Sequence, residues 1–153
     1  IEALNADHVV GLVSCLEKAH FCGVVHRDVR PSNVMQDLSG NVRLIDWGLA
    51  HYQQDGPQPF AGTFRYASAE VLKSASKNES RLPRPTDDLH SLVRMILARN
   101  SPIADELENI VDGDFQTASS YWSEKRKKNL QFEWMFTLAD KCSHGELKQA
   151  TFN

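Results

Sequence analysis

The stretch His26-Arg27-Asp28-Val29-Arg30-Pro31-Ser32-Asn33 places a carboxylate, a guanidinium and a carboxamide in one short run. Such a set suits phosphoryl transfer. Asp28 can accept the proton of an attacking hydroxyl, Arg30 can face the charge of the transferring group, and Asn33 can offer an amide oxygen to a metal ion. A second oxygen ligand follows in Leu44-Ile45-Asp46-Trp47-Gly48-Leu49-Ala50, where Asp46 ends a β-prone run and Gly48 lets the chain turn away. A carboxylate there can hold Mg²⁺ against nucleotide phosphates. Taken singly, Asn33 reads equally as a loop-stabilising amide and Asp46 as an ordinary strand-end acid. Their occurrence together favours the chemical reading.

These residues need elements to hold them. Val9, Leu12, Val13, Leu16, Ala19 and His20 recur on one face, which predicts a helix over about residues 4 to 21, stopped near Gly23. Val24-Val25 is a short strand-like run leading into the polar stretch 26–33, and Pro31 makes that stretch a loop. Val34-Met35 and Val42-Arg43-Leu44-Ile45 flank a turn-rich spacer and predict a β-hairpin between the two chemical motifs. Residues 46 to 69 form a long aperiodic connector. A short helix from Glu70 to about Ser76 precedes a proline-containing loop. Asp87 or Asp88 then caps a helix whose Leu89, Leu92, Val93, Met95, Ile96 and Leu97 lie nearly all round it, as in a buried central helix. Pro102 can start a further helical stretch, and Tyr121 to Phe152 reads as two or three helices with Trp122, Trp134, Phe136 and Leu138 in the core. The run Lys125-Arg126-Lys127-Lys128 reads as a solvated helix face, with nuclear targeting or phosphate binding as its minority reading.

Composition narrows the class of function. The 153 residues, 41% hydrophobic and 24% charged, suit a single globular core. With 17 basic against 20 acidic side chains the net charge is −3, which argues against a nucleic-acid partner. The apolar stretch Leu89 to Ala98 is interrupted by His90, Ser91 and Arg94 and falls short of the roughly 20 residues of a membrane span, so no membrane partner is expected. Cys15, Cys22 and Cys142 make neither a disulfide framework nor a metal pair; they read as free thiols of an intracellular protein, cytoplasmic or nuclear.

In combination, the motifs resemble the eukaryotic protein kinases, whose catalytic loop reads H-R-D-x-x-x-x-N and whose metal motif reads D-F-G. Gly62-Thr63-Phe64-Arg65-Tyr66-Ala67-Ser68-Ala69-Glu70 is similar to the end of a kinase activation segment, and Asp88-Leu89-His90-Ser91-Leu92 to the aspartate-headed central helix. Gly62-Thr63-x-Arg65-Tyr66-Ala67-Ser68 looks like the casein kinase one group, His26-Arg27-Asp28-Val29 and Trp47 like casein kinase two, and there is a weaker similarity to fungal and oomycete kinase-like domains.

The resemblance implies a mainly helical kinase C-terminal lobe with a short β-hairpin over residues 1–153, part of an α+β two-lobe fold. It implies a serine/threonine kinase that transfers the γ-phosphoryl of Mg-ATP to a protein hydroxyl. Asp28 would be the catalytic base, Arg30 the phosphate-contacting cation in place of the family's lysine, and Thr63 the threonine beside the base. Asn33 and Asp46 would hold Mg²⁺ and, with Arg30, contact ATP. Asp88 would accept hydrogen bonds from the His26-Arg27 turn, and Glu70 would take a cationic partner, for which Arg126 is the candidate. Arg27 would in many members bind an activation-loop phosphate, yet Tyr52 is the one hydroxyl between Leu49 and Gly62. The loop is therefore expected not to depend on phosphorylation, with Asp55 as a resident anion.

No G-x-G-x-x-G loop and no strand lysine of the V-A-I-K type occur in the sequence, so the N-terminal lobe is expected to be missing and the fragment alone inactive. The start at Ile1 rather than Met fits a cut just before the first helix. Two other readings stay open. A small-molecule phosphotransferase of the aminoglycoside or choline kinase type is kept alive by Ile45-Asp46-Trp47, and a pseudokinase interaction module by Arg30.

Overall fold

In the computed structural model, residues 3–149 are described. Helix α1 (Ala6–Phe21) opens on Asn5, whose side chain accepts the His8 N–H while His8 Nδ1 accepts the Asn5 N–H, satisfying two of the free donors of the first turn. Its buried face carries Val9, Leu12, Val13 and Leu16. The chain reverses at Gly23, in the left-handed region at φ 76°, into β1 (Val24–Val25). After the 26–33 loop come β2 (Val34–Gln36) and β3 (Val42–Leu44), the expected hairpin, paired antiparallel with Val34 opposite Leu44 and Gln36 opposite Val42. Asp37 Oδ1 accepts the N–H groups of Ser39 and Asn41 and so shapes its turn.

The long connector is tied to the rest of the chain at several points. Strand β4 (His51–Tyr52) pairs antiparallel with β1, and Gln58 and Arg81 exchange both backbone hydrogen bonds at 2.9 Å. Helix α2 (Ala69–Ser76) follows, capped by Ser68.

Helix α3 (Pro85–Asn100) is the central element, with Leu89, Leu92, Val93, Met95, Ile96 and Leu97 all buried. Its start differs from expectation. Pro85 occupies the first helical position, where a missing N–H costs nothing, and Arg84 is the cap residue. Asp87 lies inside the first turn and reaches back to the Arg84 N–H, which frees Asp88 to point elsewhere. The remaining helices are α4 (Ala104–Glu108), α5 (Phe115–Lys128), α6 (Leu130–Asp140) and α7 (His144–Lys148).

Helix α5 begins six residues before the expected Tyr121, because Asp114 caps it by accepting from both the backbone and the hydroxyl of Thr117. Trp122, Phe136 and Leu138 are core residues as expected. Trp134 is not: α6 buries Met135, Phe136, Leu138 and Ala139, which turns Trp134 outward at 45% exposure. The expectation for Phe152 lies outside the described residues. The architecture is mainly helical with two two-stranded sheets, α1 and α3 sharing one hydrophobic cluster with α5, α6 and α7. Among the described residues no helix is long and apolar enough to cross a membrane, and the three cysteines are unbonded.

Candidate active site

The 26–33 loop is held from below by one carboxylate. Asp88, 1% exposed, accepts the His26 N–H at Oδ2 (2.7 Å) and the Arg27 N–H at Oδ1 (2.9 Å). It takes a third donor, His20 Nε2, at 2.8 Å. Buried amides that no helix or strand partners need such an acceptor, and a carboxylate with two oxygens serves both. His26 is fully buried, bonds the Ile45 carbonyl through Nε2 at 3.0 Å, and meets the Trp47 ring edge-on with centroids 4.5 Å apart. Trp47 Nε1 donates to the Leu44 carbonyl. The first motif is thereby bolted to the second.

Arg27 adopts φ 76°, a left-handed conformation costly for any residue that carries a Cβ. It is sustained by the Asp88 bond to its N–H and by its guanidinium, which donates to the carbonyls of Leu49 (3.3 Å) and Pro59 (2.8 Å). Burial draws the guanidinium below its ordinary range, opposed by the charges of Asp87 and Asp88. Arg27 thus ties down the connector through backbone carbonyls. Asp55 forms no ion pair with it, so the expected resident anion is replaced by peptide dipoles. Gly62, at φ 99°, passes so close that a Cβ would collide with the Arg27 carbonyl oxygen; only glycine fits.

That close passage brings Thr63 to the loop. Its hydroxyl donates to Asp28 Oδ1 at 3.1 Å. Asn33 Nδ2 donates to Asp28 Oδ2 (3.1 Å) and to the Asp28 carbonyl (2.8 Å). Arg30 Nε lies 3.6 Å from Asp28 Oδ2, beyond hydrogen-bonding distance, and is a buried donor without a partner. Asp28, Arg30, Asn33 and Thr63 therefore converge, with each Asp28 oxygen oriented by one neutral donor. Asn33 spends its amide nitrogen inward, and its Oδ1 receives no side-chain or loop donor among the described residues.

Asp46 sits across the hairpin. The Ile45 N–H donates to the Asn33 carbonyl at 2.8 Å, linking the backbones of the two motifs. Asp46 itself takes φ 57°, is exposed, and among the described residues accepts only the Gly48 N–H at 3.3 Å. Among the described residues no group of three or more His, Cys, Asp or Glu side chains could hold a metal ion alone. Two hard oxygen donors, Asn33 Oδ1 and the Asp46 carboxylate, nevertheless match what Mg²⁺ takes from a protein when phosphates and water complete its shell.

The expected Glu70–Arg126 pair is not formed. Arg126 binds Glu133 (2.6 Å) and Asp140 (3.1 Å) on α6, which its own helix faces, and Glu70 is exposed on α2 without an ion pair among the described residues. The basic run is half pinned, since Lys125 pairs with Glu106. Sequence reasoning missed the strap from Arg27 to Leu49 and Pro59 and the third donor on Asp88. No sequence signal pointed to either, because both depend on a backbone angle and a helix packing that the fold sets.

Comparison with known proteins agrees with this geometry. Residues 2–143 match the model of the protein kinase domain. The chain is 34% identical over 106 residues to the serine/threonine-protein kinase PSK2 of Saccharomyces cerevisiae, covering 69% of this chain and 9% of that protein. It is 33% identical over 95 residues to the probable serine/threonine-protein kinase MARK-C of Dictyostelium discoideum, covering 60% and 12%. The NUAK family SNF1-like kinase 2 of Rattus norvegicus is 40% identical over 63 residues, 40% of this chain and 10% of that protein. The chain thus spans about a tenth of the length of these relatives.

Proposed function

The chain belongs to the protein kinase domain family, and from that premise we propose that it is the C-terminal, catalytic lobe of a serine/threonine protein kinase that phosphorylates protein hydroxyls with ATP and Mg²⁺. The observation that carries this reading is the Asp28 carboxylate, oriented by Thr63 at one oxygen and Asn33 at the other, with the unpartnered Arg30 Nε beside it. Asp28 accepts the proton of the substrate serine or threonine through a lone pair that Thr63 and Asn33 leave open. Holding the carboxylate by two neutral donors fixes its direction without neutralising it. Arg30 supplies the charge that faces the phosphoryl group, its orphaned donor being satisfied by a phosphate oxygen.

Asn33 Oδ1 and the Asp46 carboxylate would hold Mg²⁺, which supplies charge neutralisation on the β and γ phosphates. The left-handed backbone at Asp46 turns its side chain away from the hairpin and toward solvent, where a nucleotide's phosphates can reach it. Thr63, delivered by Gly62, links the substrate-binding segment to the base, so that the segment's placement and the base's orientation are set together.

The small-molecule phosphotransferase reading rested on Trp47. That residue is accounted for by its packing on His26, while the 62–70 segment bonded to Asp28 supports a peptide acceptor.

The test is transfer of labelled γ-phosphate from Mg-ATP to a serine-containing protein such as casein by the full-length protein. Asp28→Asn is expected to reduce it by at least about a thousandfold, in line with loss of a general base together with its positioning. The 153 residues alone are expected to show no turnover, because they carry no glycine-rich loop to cover the nucleotide. Undiminished transfer by Asp28→Asn overturns the proposal.

A further inference from the structure

The carboxylate beneath the catalytic loop does not end at His20. His20 is on α1 with a side chain only 4% exposed, and while its Nε2 meets Asp88 Oδ2, its Nδ1 lies 2.8 Å from Nε2 of His144 on α7. The two rings meet edge-on with centroids 5.1 Å apart. His144 stands one residue beyond the stretch matched by the family model, 2–143, so the family pattern does not account for it. A continuous line of hydrogen bonds therefore runs from a partly exposed imidazole on α7, through α1, to Asp88 on α3 and on to the backbone of His26 and Arg27.

Proton accounting assigns the directions. A carboxylate accepts only, so all three groups bonded to Asp88 donate: the His26 N–H, the Arg27 N–H and His20 Nε2–H. A neutral His20 with its proton on Nε2 has a lone pair on Nδ1, and His144 must then donate from Nε2. With the roles so fixed, one N–H and one lone pair meet at 2.8 Å.

The charged and titratable groups around the couple are few. Glu17 on α1 and Lys148 on α7 pair with each other at 2.6 Å beside His144, the Cys142 carbonyl faces it from the preceding turn, and Asp88 faces His20 from α3. His90 on α3 is turned away, toward Asp140 and Phe136. Burial, then the neighbouring His20 and Lys148, draw the His144 imidazole below its ordinary value, against Glu17 and the Cys142 carbonyl.

We propose that His144 is a positioning residue for the catalytic loop: its Nε2–H fixes the tautomer of His20, and His20 in turn fixes the Asp88 carboxylate under the His26 and Arg27 amides. The functional importance of that loop rests on the kinase reading above; the hydrogen-bond relay does not.

The relay is tested by nitrogen-15 NMR of histidine side chains, with amide hydrogen exchange at His26 and Arg27, in the intact protein. The expected result is a His20 with protonated Nε2 and bare Nδ1, facing a His144 with protonated Nε2. His144→Gln keeps a donor for His20 Nδ1 and is expected to leave the exchange of His26 and Arg27 unchanged. His144→Leu fills the space without a donor and is expected to speed that exchange about tenfold, the effect of one lost hydrogen bond.

A His20 with a bare Nε2, or a His144 with a bare Nε2, overturns the proposal. So does equal behaviour of the Gln and Leu variants, which would mean that His144 acts by packing alone. Should His144→Leu fail to fold, the histidine tautomers of the unaltered protein and the Gln variant still decide. A protein that shows the relay but no phosphoryl transfer leaves this inference standing and removes the kinase reading.

Discussion

Near the start of α3, Asp88 is buried at 1% exposure and receives three N–H donors. Further along the same helix, Arg94 is buried at 4% exposure with Nε and Nη1 unpartnered. Its guanidinium lies over the rings of Trp122 (5.4 Å) and Phe136 (5.8 Å), and burial together with the nearby Arg126 pushes it down to about 9. Neighbouring His90 likewise keeps Nδ1 unpartnered. The first charge organises a loop whose amides have no other acceptor. The second is tolerated by aromatic faces and a long apolar stem, with no carboxylate among the described residues to answer it. Buried charge in one helix is thus a scaffold in one place and a burden in the other, and the number of donors or acceptors facing it separates the two.

The sharpest way to break this contrast is at Asp88. Asp88→Ala leaves the His26 and Arg27 amides and His20 without their acceptor, and is expected to cost about 3–5 kcal/mol in a denaturant-unfolding measurement, the range for breaking a buried charged network. On the same side of the molecule, Gly62→Ala drives a methyl into the Arg27 carbonyl at a backbone angle unfavourable to alanine. A loss of about 1–3 kcal/mol is expected, with Thr63 displaced from Asp28.

At the other place on α3 the sign reverses. Arg94→Met keeps the stem and removes the charge, so stability is expected to hold or rise by about 1 kcal/mol in the same measurement. A loss as large as that at Asp88 would erase the distinction drawn here.

The acid response adds a finer test. The imidazoles of His90 and His144 are both held below their ordinary value by burial. The unfolded chain therefore takes up these protons first as the pH falls. Their contribution is present above the ordinary histidine value and lost on acidification through the lowered ones. Stability is expected to fall from pH 7 toward pH 5, and His90→Gln to flatten that slope.

The smallest effect is expected at Tyr52. Arg27 already ties the connector to Leu49 and Pro59, and β4 pairs with β1 whatever the hydroxyl does. Full-length protein carrying Tyr52→Phe should transfer phosphate at an unchanged rate. Complete loss would show that the strap needs a phosphate after all.

Much of the candidate site could be read from residue order, because its side chains lie in short runs. Asp28, Arg30 and Asn33 lie in one loop, Asp46 follows a hairpin signalled by its turn residues, and the buried length of α3 shows in its apolar side chains all round. These are properties of neighbours in the chain, where spacing and propensity act directly. The failures were of another kind. Trp134 was placed in the core because an aromatic in a helix usually is, yet which face of α6 is buried depends on where α3 and α7 lie. Glu70 and Arg126 were paired by type, but Arg126 found Glu133 and Asp140 on the adjoining helix.

What tertiary structure alone decided is where each donor and acceptor goes. That Thr63 reaches Asp28, that Arg27 spends its guanidinium on two carbonyls, and that His144 meets His20 across 124 positions of sequence all depend on packing helices and loops into one body. Hydrogen bonds act over about 3 Å, so a sequence names the groups able to make them, and the fold selects the partners.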